Sequence, residues 1–556
     1  MALFNIENLT FSYPLQEKPV LEGISLDINE GEFTVLCGQS GCGKTTLMKL
    51  LKNELRPKGE LGGKIDYCGK DLLTLDERVS AAEIGFVLQN PESQIVTDRV
   101  WHELSFGLES LGADRKFIRR RVSETASFFG MEKLFRSETA LLSGGQKQLL
   151  SLAAVMVMSP KVLLLDEPTS QLDPIAAADF ISTLSKINKE FGTAIVIAEH
   201  RLEELLPICD RAIVMENGRI IADGTPQEVS QGLDSSHPMV CSMPSAVRIY
   251  AMSGGSGDCP LTVKEGRNYL AENAKNEIRS LPLVKAETDS ETAVEMKDVW
   301  FRYERKGADI LRGVTLKIGR GEIYTILGGN GSGKTTTLNV MAALRKHYGG
   351  TVRIFGKKTS EYGGNSLYRR GISFLPQNPA GIFLKNSVRE DFEDICKICG
   401  YDEKESREII DGTVEKLEIA HLLDRHPYDL SGGEQQKCAI AKCLMSKPKI
   451  LLMDEPTKGI DAFAKNSLSG IIRGLKKEGV TVVIVSHDVE FAGEISDRCA
   501  MFFDGEIICE DNARDFFSGN NYYTTAANRI TRGFYDNVVT CGQAAELIRL
   551  NGEKNG

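Results

Sequence analysis

The sequence predicts an α/β fold in which one domain, built on a mainly parallel sheet, occurs twice. GQSGCGKTT at Gly38–Thr46 returns as GGNGSGKTT at Gly328–Thr336, and LLLDEPT at Leu163–Thr169 returns as LLMDEPT at Leu451–Thr457. The two spacings, 290 and 288 positions, are nearly equal, which indicates a duplicated domain. Strand and helix patterns alternate within each copy. The 556 residues are also too many for a single core.

Each half begins with an aromatic-rich strand pattern, FSY at Phe11–Tyr13 and WFRY at Trp300–Tyr303. A second strand pattern follows at Ile24–Ile28 and at Val314–Ile318. These patterns predict a small antiparallel sheet beside the parallel one. A buried strand, FTVLCG or IYTILGG, then runs directly into a Gly-rich loop and a helix.

Each core is followed by a segment that reads as helix, turn, β-branched step and helix, at Ser245–Glu272 and at Ala526–Leu550. The repeat therefore extends beyond the cores and predicts a small helical extension after each of them. We predict five segments: a first core domain over 1–232, a helical extension over 233–282, a linker over 283–292, a second core domain over 293–517 and a C-terminal helical extension over 518–556.

Composition narrows the classes of function. The net charge of −10 disfavours broad binding to nucleic acid, which depends on Lys and Arg neutralising phosphates. No apolar run reaches the roughly 18–20 residues that cross a bilayer, and the N-terminus lacks the pattern of a signal peptide. An odd number of cysteines, 13, without framework spacing predicts reduced thiols in a cytosolic protein. If the protein acts at a membrane, another subunit must span it.

The Gly-rich loops have the pattern of a P-loop. Their glycines allow backbone N–H groups to point into one concavity and cradle phosphates, and the following helix directs its positive end at the anion. Lys44 and Lys334 would reach the β- and γ-phosphates of ATP, and Thr45 and Thr335 would hold Mg²⁺.

An Asp-Glu pair ends a buried strand in each half, at the sheet edge where α/β proteins bind ligands. Asp166 and Asp454 would bind Mg²⁺, directly or through water. Glu167 and Glu455 would polarise the attacking water as general bases. A third motif, Ser-Gly-Gly before a helix, begins at Ser143 and Ser431 and is suited to a γ-phosphate.

In this order the motifs resemble those of the ABC-type ATPases, and the resemblance covers nearly all of both halves. It implies two P-loop NTPase domains, each with a parallel sheet core, a small antiparallel sheet and a helical subdomain. The other positions that match family motifs are the adenine-stacking aromatics Tyr13 and Tyr303, the Q-loop glutamines Gln89 and Gln377, the D-loop residues Asp173 and Asp461, and the switch histidines His200 and His487.

The resemblance implies a full set of site residues. The nucleotide-binding positions are Tyr13, Gly38, Ser40, Gly41, Gly43, Lys44, Thr45, Thr46, Gln89, Ser143, Gly144, Gly145, Gln146, Asp166 and Asp173 in the first half, and Tyr303, Gly328, Asn330, Gly331, Gly333, Lys334, Thr335, Thr336, Gln377, Ser431, Gly432, Gly433, Glu434, Asp454 and Asp461 in the second. The metal-binding positions are Thr45, Gln89, Asp166, Thr335, Gln377 and Asp454, and the catalytic positions are Glu167, Glu455, His200 and His487.

The family's geometry implies two composite sites, in which the P-loop of one half faces the Ser-Gly-Gly motif of the other. One site would join Lys44 and its neighbours to Ser431, and the other would join Lys334 and its neighbours to Ser143. Glu434 stands where the family usually has glutamine, a mild departure that leaves the serine and glycines intact. The two D-loops differ, so the rates of hydrolysis at the two sites can be unequal.

The stretch after the first Q-loop, Gln89–Glu109, is similar to the energy-coupling factor class, which imports vitamins and transition-metal ions. That similarity implies a peripheral protein on the cytoplasmic side of the membrane, with a transmembrane coupling subunit and a substrate-binding membrane subunit as partners. Glu103 and Asp391 occupy equivalent positions, and we expect them to meet arginines of the coupling subunit.

Two alternatives remain: a soluble tandem ABC ATPase that acts on translation or nucleic acid, and the ATP-binding subunit of another type of ABC transporter. The first would require a long charged arm and basic patches, which the sequence lacks. A non-catalytic regulator would have lost a glutamate or histidine, and both are present in each half. No nucleic-acid partner is expected.

Overall fold

The computed structural model describes residues 2–14, 16, 18–255, 257–273, 277–282, 291–363 and 366–553. They group into two compact units, Met1–Gly266 and Arg267–Gly556. Most of the predicted linker, 283–290, lies outside the described residues, and the bounds of the five predicted segments stay predictions. Within the described ranges, no helix combines the length and apolarity that crossing a membrane requires.

The first unit contains two sheets and a set of helices. Its strands are β1 (Ala2–Ser12), β2 (Leu21–Asn29), β3 (Phe33–Gly38), β4 (Glu60–Tyr67), β5 (Lys70–Asp71), β6 (Ile84–Val87), β7 (Val162–Asp166), β8 (Ala194–Ala198), β9 (Arg211–Glu216) and β10 (Arg219–Gly224). Its helices are α1 (Lys44–Leu50), α2 (Glu77–Glu83), α3 (Val100–Ser110), α4 (Arg115–Phe128), α5 (Gly144–Met156), α6 (Pro174–Phe191), α7 (Pro226–Gly232), α8 (Ser245–Met252) and α9 (Val263–Asn273), which crosses the boundary between the units.

The smaller sheet has the order β2-β1-β4-β5 and the larger one has the order β10-β9-β3-β8-β7-β6. The larger sheet is parallel except for the antiparallel pair β9 and β10. Strands β3, β7 and β8 are buried along their whole length, as expected for continuous apolar runs covered on both faces. Because β3, β7 and β8 are parallel, the loops that follow them meet at one edge of the sheet.

The second unit repeats this plan. Its strands are β11 (Thr292–Phe301), β12 (Leu311–Gly319), β13 (Ile323–Gly328), β14 (Gly349–Ile354), β15 (Lys357–Lys358), β16 (Ile372–Leu375), β17 (Ile450–Asp454), β18 (Thr481–Ser486), β19 (Arg498–Phe503) and β20 (Glu506–Asn512). Its helices are α10 (Lys334–Met341), α11 (Val388–Cys399), α12 (Glu403–Leu417), α13 (Gly432–Leu444), α14 (Ala462–Lys477), α15 (Val489–Ile495), α16 (Ala513–Gly519), α17 (Ala526–Thr531) and α18 (Cys541–Glu553). The sheet orders are β12-β11-β14-β15 and β16-β17-β18-β13-β19-β20.

In each unit a helical subdomain is inserted in the sequence between two neighbouring strands of the large sheet. In the first unit α3, α4 and α5 pack together between β6 and β7, and in the second α11, α12 and α13 do so between β16 and β17. The predicted fold class, with a parallel core, a small antiparallel sheet and a helical subdomain in each half, is therefore confirmed.

The predicted extensions attach to their cores by equivalent contacts. The backbone N–H of Ser245, at the start of α8, donates to Oε2 of Glu203 at 2.8 Å. The backbone N–H of Ala526, at the start of α17, donates to Oε1 of Glu490 at 2.6 Å. Each glutamate lies three residues after a predicted switch histidine. Each extension is therefore tethered to the segment that follows the histidine.

The prediction that Glu103 and Asp391 meet arginines of a partner is wrong. Both side chains are buried, and each accepts hydrogen bonds from backbone N–H groups of the turn before its helix. Asp391 also forms a buried ion pair with Lys442. The two carboxylates stabilise their own subdomains, because a turn with buried N–H groups needs acceptors.

Candidate functional site

The first P-loop connects β3 to α1 and requires glycine at two positions. Gly38 has a φ of 152°, and a Cβ atom there would lie 2.3 Å from the backbone oxygen of Met215. Gly43 precedes α1 with a φ of 105°, in the left-handed region that favours glycine. The Nζ atom of Lys44 donates to the backbone oxygens of Gly38 at 2.8 Å and Gln39 at 3.0 Å. The lysine side chain therefore folds back across the loop.

The second P-loop, between β13 and α10, has the same form. Nζ of Lys334 donates to the backbone oxygens of Gly328 and Gly329, both at 2.9 Å. Gly333 precedes α10 with a φ of 113°. In both units the P-loop therefore leads directly into the N-terminal end of a helix, the end that attracts anions.

A threonine hydroxyl and an aspartate carboxylate converge beside each P-loop. Oγ1 of Thr45 donates to Oδ1 of Asp166 at 2.9 Å, and Oγ1 of Thr335 donates to Oδ1 of Asp454 at 3.0 Å. These hard oxygen ligands fit the preference of Mg²⁺. Burial raises the pKa of Asp166, and it raises the pKa of Asp454 to about 6. A bound cation would favour the ionised form of both.

Replacing Asp454 with asparagine is expected to stabilise the protein without metal and nucleotide at alkaline pH. The unfolded aspartate has a pKa near 3.8, so the folded state binds more protons between pH 3.8 and 6. Stability therefore falls as pH rises through this window, and above it the buried charge costs about 3 kcal/mol. Asparagine removes that cost and still accepts from Thr335. We expect thermal unfolding at pH 8 to shift upward by several degrees.

The measurement is thermal unfolding of D454N and the unchanged chain at pH 5 and pH 8, each with and without Mg²⁺ and ATP. The shift should shrink at pH 5, and Mg²⁺ with ATP should stabilise the second half of D454N less than that of the unchanged chain. D411N, which replaces an exposed carboxylate of α12, is the matched control. A shift of the same size at both pH values would contradict the assignment of the raised pKa.

The predicted general bases share an uncommon backbone conformation. Glu167 has a φ of 44° and Glu455 a φ of 49°, both in the left-handed region that costs a non-glycine residue about 1–3 kcal/mol. A backbone hydrogen bond to the neighbouring strand holds each residue in this conformation. The N–H of Glu167 donates to the backbone oxygen of Ala198 at 2.9 Å, and the N–H of Glu455 donates to that of Val485 at 2.8 Å. This conformation occurs at the same place in both units.

In the first unit the carboxylate of Glu167 contacts two other predicted site residues. Nε2 of Gln89 donates to Oε2 at 2.8 Å, and Nε2 of His200 lies 2.8 Å from Oε1. The structure therefore brings the Q-loop glutamine, the predicted base and the switch histidine together at the edge formed by β7 and β8. These two side chains orient the carboxylate of Glu167.

The second unit arranges the equivalent residues differently. Nδ1 of His487 lies 2.8 Å from Oε2 of Glu455, but the approach is not in the direction of a hydrogen bond. The backbone N–H of His487 donates to the same oxygen at 3.3 Å. Nζ of Lys334 is 3.9 Å from Oε1 of Glu455. Within the described residues, no hydrogen bond joins Gln377 to Glu455, so this carboxylate is turned toward the P-loop.

Each predicted adenine-stacking tyrosine lies beside the helix that follows the P-loop. The hydroxyl of Tyr13 is 3.1 Å from Oγ1 of Thr46, and that of Tyr303 is 3.0 Å from Oγ1 of Thr336. Stacking on adenine stays a prediction. The D-loop residues Asp173 and Asp461 each accept a backbone N–H in the first turn of α6 or α14, and so fix where these helices begin.

The Ser-Gly-Gly motifs begin α5 and α13, and each serine caps its helix. In the first motif, Oε1 of Gln146 accepts the backbone N–H of Ser143 at 2.9 Å. In the second, the carboxylate of Glu434 accepts both the backbone N–H of Ser431 at 2.9 Å and its hydroxyl at 2.8 Å. The departure at Glu434 is thus larger than expected, because the serine hydroxyl is already donated to a negative charge.

The hydrogen bonds of each Ser-Gly-Gly motif stay within the start of its own helix. In the described part of each unit, no hydrogen bond joins Ser143 or Ser431 to the P-loop or the Asp-Glu pair. The remaining motifs of each unit do meet at one sheet edge. Among the described residues, each unit therefore brings most of the predicted site residues together without a hydrogen bond to its own Ser-Gly-Gly motif.

Sequence reasoning missed one residue near the first site. Glu199, directly before His200, is only 2% exposed. Its Oε1 atom accepts the backbone N–H of Thr169 at 2.8 Å and the hydroxyl at 2.6 Å, and its Oε2 atom accepts the backbone N–H of His200 at 3.1 Å. The signal in the sequence is an acid at the end of an apolar strand, AIVIAEH.

Comparison with known proteins agrees with this geometry. The family model described as ABC transporter matches residues 21–170 and 311–458, so that both repeats are covered. The chain belongs to the ABC transporter family. It therefore carries two ABC ATPase domains, binds and hydrolyses ATP, and is the ATPase subunit of an ABC transporter.

Relatives of this ABC ATPase share nearly its full length. A Bacillus anthracis protein described as an ABC transporter ATP-binding protein is 41% identical over 533 residues, which cover 96% of each chain. A Clostridium tetani protein of the same description is 34% identical over 448 residues, which cover 81% of this chain and 99% of the relative. The solved structure of CbiO1 from Clostridium perfringens, part of the ABC transporter complex CbiONQ, is 32% identical with a TM-score of 0.38, and covers 43% of this chain and 97% of that one.

Proposed function

We propose that the chain powers the import of a small solute, of the vitamin or transition-metal ion class, through a separate membrane complex. The observation that carries the ATPase part is the meeting of P-loop lysine, threonine-aspartate pair, glutamate and histidine at one sheet edge in each unit. The importer class is supported by the stretch after the first Q-loop, Gln89–Glu109.

We place the nucleotides in two composite sites. Support comes from the hydrogen bonds of Ser143 and Ser431, none of which, in the described residues, reaches the P-loop of the same unit, as expected if each motif serves the other half. The site that contains Lys44 would be completed by Ser431 and Gly433 of the second half. The site that contains Lys334 would be completed by Ser143 and Gly145 of the first half. A γ-phosphate held by both halves would join them, and its release would separate them.

The residues of each half divide the chemistry of hydrolysis. In the first half, the P-loop N–H groups and Lys44 would hold the phosphates, while Thr45 and Asp166 would hold Mg²⁺. Mg²⁺ would neutralise charge that develops on the phosphate oxygens. Glu167, oriented by Gln89 and His200, would accept a proton from the attacking water. The equivalent residues of the second half would act in the same way.

The proposed partners are a transmembrane coupling subunit and a substrate-binding membrane subunit, with the chain on the cytoplasmic face of the membrane. The test is to isolate the intact complex from native membranes through a tag on this chain, identify its subunits and bound solute by mass spectrometry, and reconstitute it in vesicles. We expect ATP-dependent uptake of that solute. Isolation with ribosomes, or without any membrane protein, would contradict the proposal.

A further inference from the structure

The buried carboxylate of Glu199 links two loops of the first catalytic centre. One is the turn after the Asp-Glu pair, which carries Thr169. The other begins with His200. Both oxygens of Glu199 are used, by the N–H and hydroxyl of Thr169 and by the N–H of His200. The N–H of Glu199 itself donates to the oxygen of Leu36 at 3.2 Å, at the end of the strand before the P-loop.

Burying the carboxylate of Glu199 costs desolvation free energy, which the surrounding hydrogen bonds must offset. In the part of the chain that the structure describes, no basic side chain forms an ion pair with Glu199. Three N–H and O–H donors stabilise its charge instead. A buried charge held only by the two loops is stable only while both loops keep their positions. Glu199 therefore resists any displacement of the turn after Glu167 relative to His200.

The second unit lacks this link. Ser486 stands at the equivalent position, and its Oγ atom accepts the N–H of Asp488. The N–H of His487 consequently donates to the predicted base Glu455 itself. In the first unit the corresponding N–H is taken by Glu199, and the Glu167 carboxylate is held by side chains of Gln89 and His200. The two units thus differ both in the residue before the histidine and in the hydrogen-bond partners of the predicted base.

We infer that Glu199 is a positioning residue that fixes Glu167 and His200 in the first centre and makes the two centres unequal. This inference rests on the proposed function, because it concerns the residues to which that function assigns hydrolysis. Displacing a general base by about 1 Å can lower the rate of the reaction on the order of 100-fold. In the residues that the structure describes, no hydrogen bond joins the P-loop to the carboxylate of Glu199, so the affinity for ATP should change little.

The test compares E199S, which introduces the residue of the second half, with E199Q. Both variants are made in the E455Q background, so that turnover reports the first centre, and there we expect E199S to lower kcat for ATP hydrolysis by at least tenfold and to change KM by less than threefold. E199Q should lose less, because its amide oxygen can still accept from Thr169 while its NH₂ group cannot accept from His200. E190S makes the same substitution at an exposed position of α6, and as the matched control it should stay within twofold of its E455Q parent.

Each rate is divided by the fraction of folded protein, which is measured by thermal unfolding in the same buffer. E199S with an unchanged kcat would overturn the inference, and so would a loss of rate that only follows the folded fraction. A rise in KM without a fall in kcat would also overturn the inference. The double variant E167Q/E455Q separates the two ideas: if it stays active, the proposed roles fail, whereas inactivity beside an active E199S refutes only the role of Glu199.

Discussion

Replacing both Glu167 and Glu455 with glutamine is expected to lower ATP turnover by at least 100-fold and to leave ATP binding within about threefold. An amide has nearly the shape of the carboxylate but cannot accept a proton from water, and positioned general bases contribute about 10²–10⁴-fold in rate. Turnover would be measured as phosphate release, and binding with a fluorescent ATP analogue. A loss in kcat without a loss of affinity is the pattern of a group that acts in the transition state.

The control makes the same chemical change at two exposed helix positions, Glu190 in α6 and Glu408 in α12. The E190Q/E408Q variant should hydrolyse ATP at the unchanged rate. If E167Q/E455Q kept a tenth or more of the activity, neither glutamate would be the base. A loss of ATP binding together with turnover would instead assign these carboxylates to nucleotide binding.

Introducing arginine at Ser431 is expected to empty the nucleotide site of the opposite half. In the composite arrangement, the motif that begins at Ser431 completes the site of Lys44. Arginine removes the serine hydroxyl and fills the cradle. Hydrogen bonds to a charged group contribute about 1.5–3 kcal/mol, which corresponds to roughly 10- to 100-fold in affinity. The site of Lys334, completed by Ser143, should be unaffected.

The experiment uses the E167Q/E455Q background, in which ATP is expected to be retained. A photoreactive ATP analogue is bound and cross-linked, and labelled peptides are assigned to the first or second half. S431R should abolish labelling of the first half, and S143R should abolish labelling of the second. Each variant is the other's control. The reverse pattern, in which each variant empties its own half, would show that the motifs do not act across the halves.

Much of this architecture could be predicted from the sequence, because it depends on patterns with a fixed physical cause. Continuous apolar runs identify the central strands, and glycine at the end of β3 is required by the backbone oxygen of Met215. The motifs at the carboxyl ends of parallel strands must meet at one edge. The extension could be predicted from an internal repeat, even though neither copy matches a strong motif.

The partners of individual carboxylates could not be predicted in the same way. Glu103 and Asp391 have the sequence context of surface helix residues, yet both turn inward to backbone N–H groups. Glu434 has the spacing of a capping residue, but spacing alone does not show that its charge also takes the hydroxyl of Ser431. In each case, the choice between solvent and an internal donor depends on atoms that are distant in sequence.

The tethers from Glu203 to Ser245 and from Glu490 to Ala526 have a practical consequence for anyone shortening this chain. Ending the first half at residue 232 would keep every family motif of that half. It would, however, remove Ser245, whose backbone N–H donates a hydrogen bond to Glu203. The carboxylate would then lose a bond next to the switch loop. A stable fragment of the first half should therefore include α8, and limited proteolysis should trim the ends of an extension before it cuts at the tether.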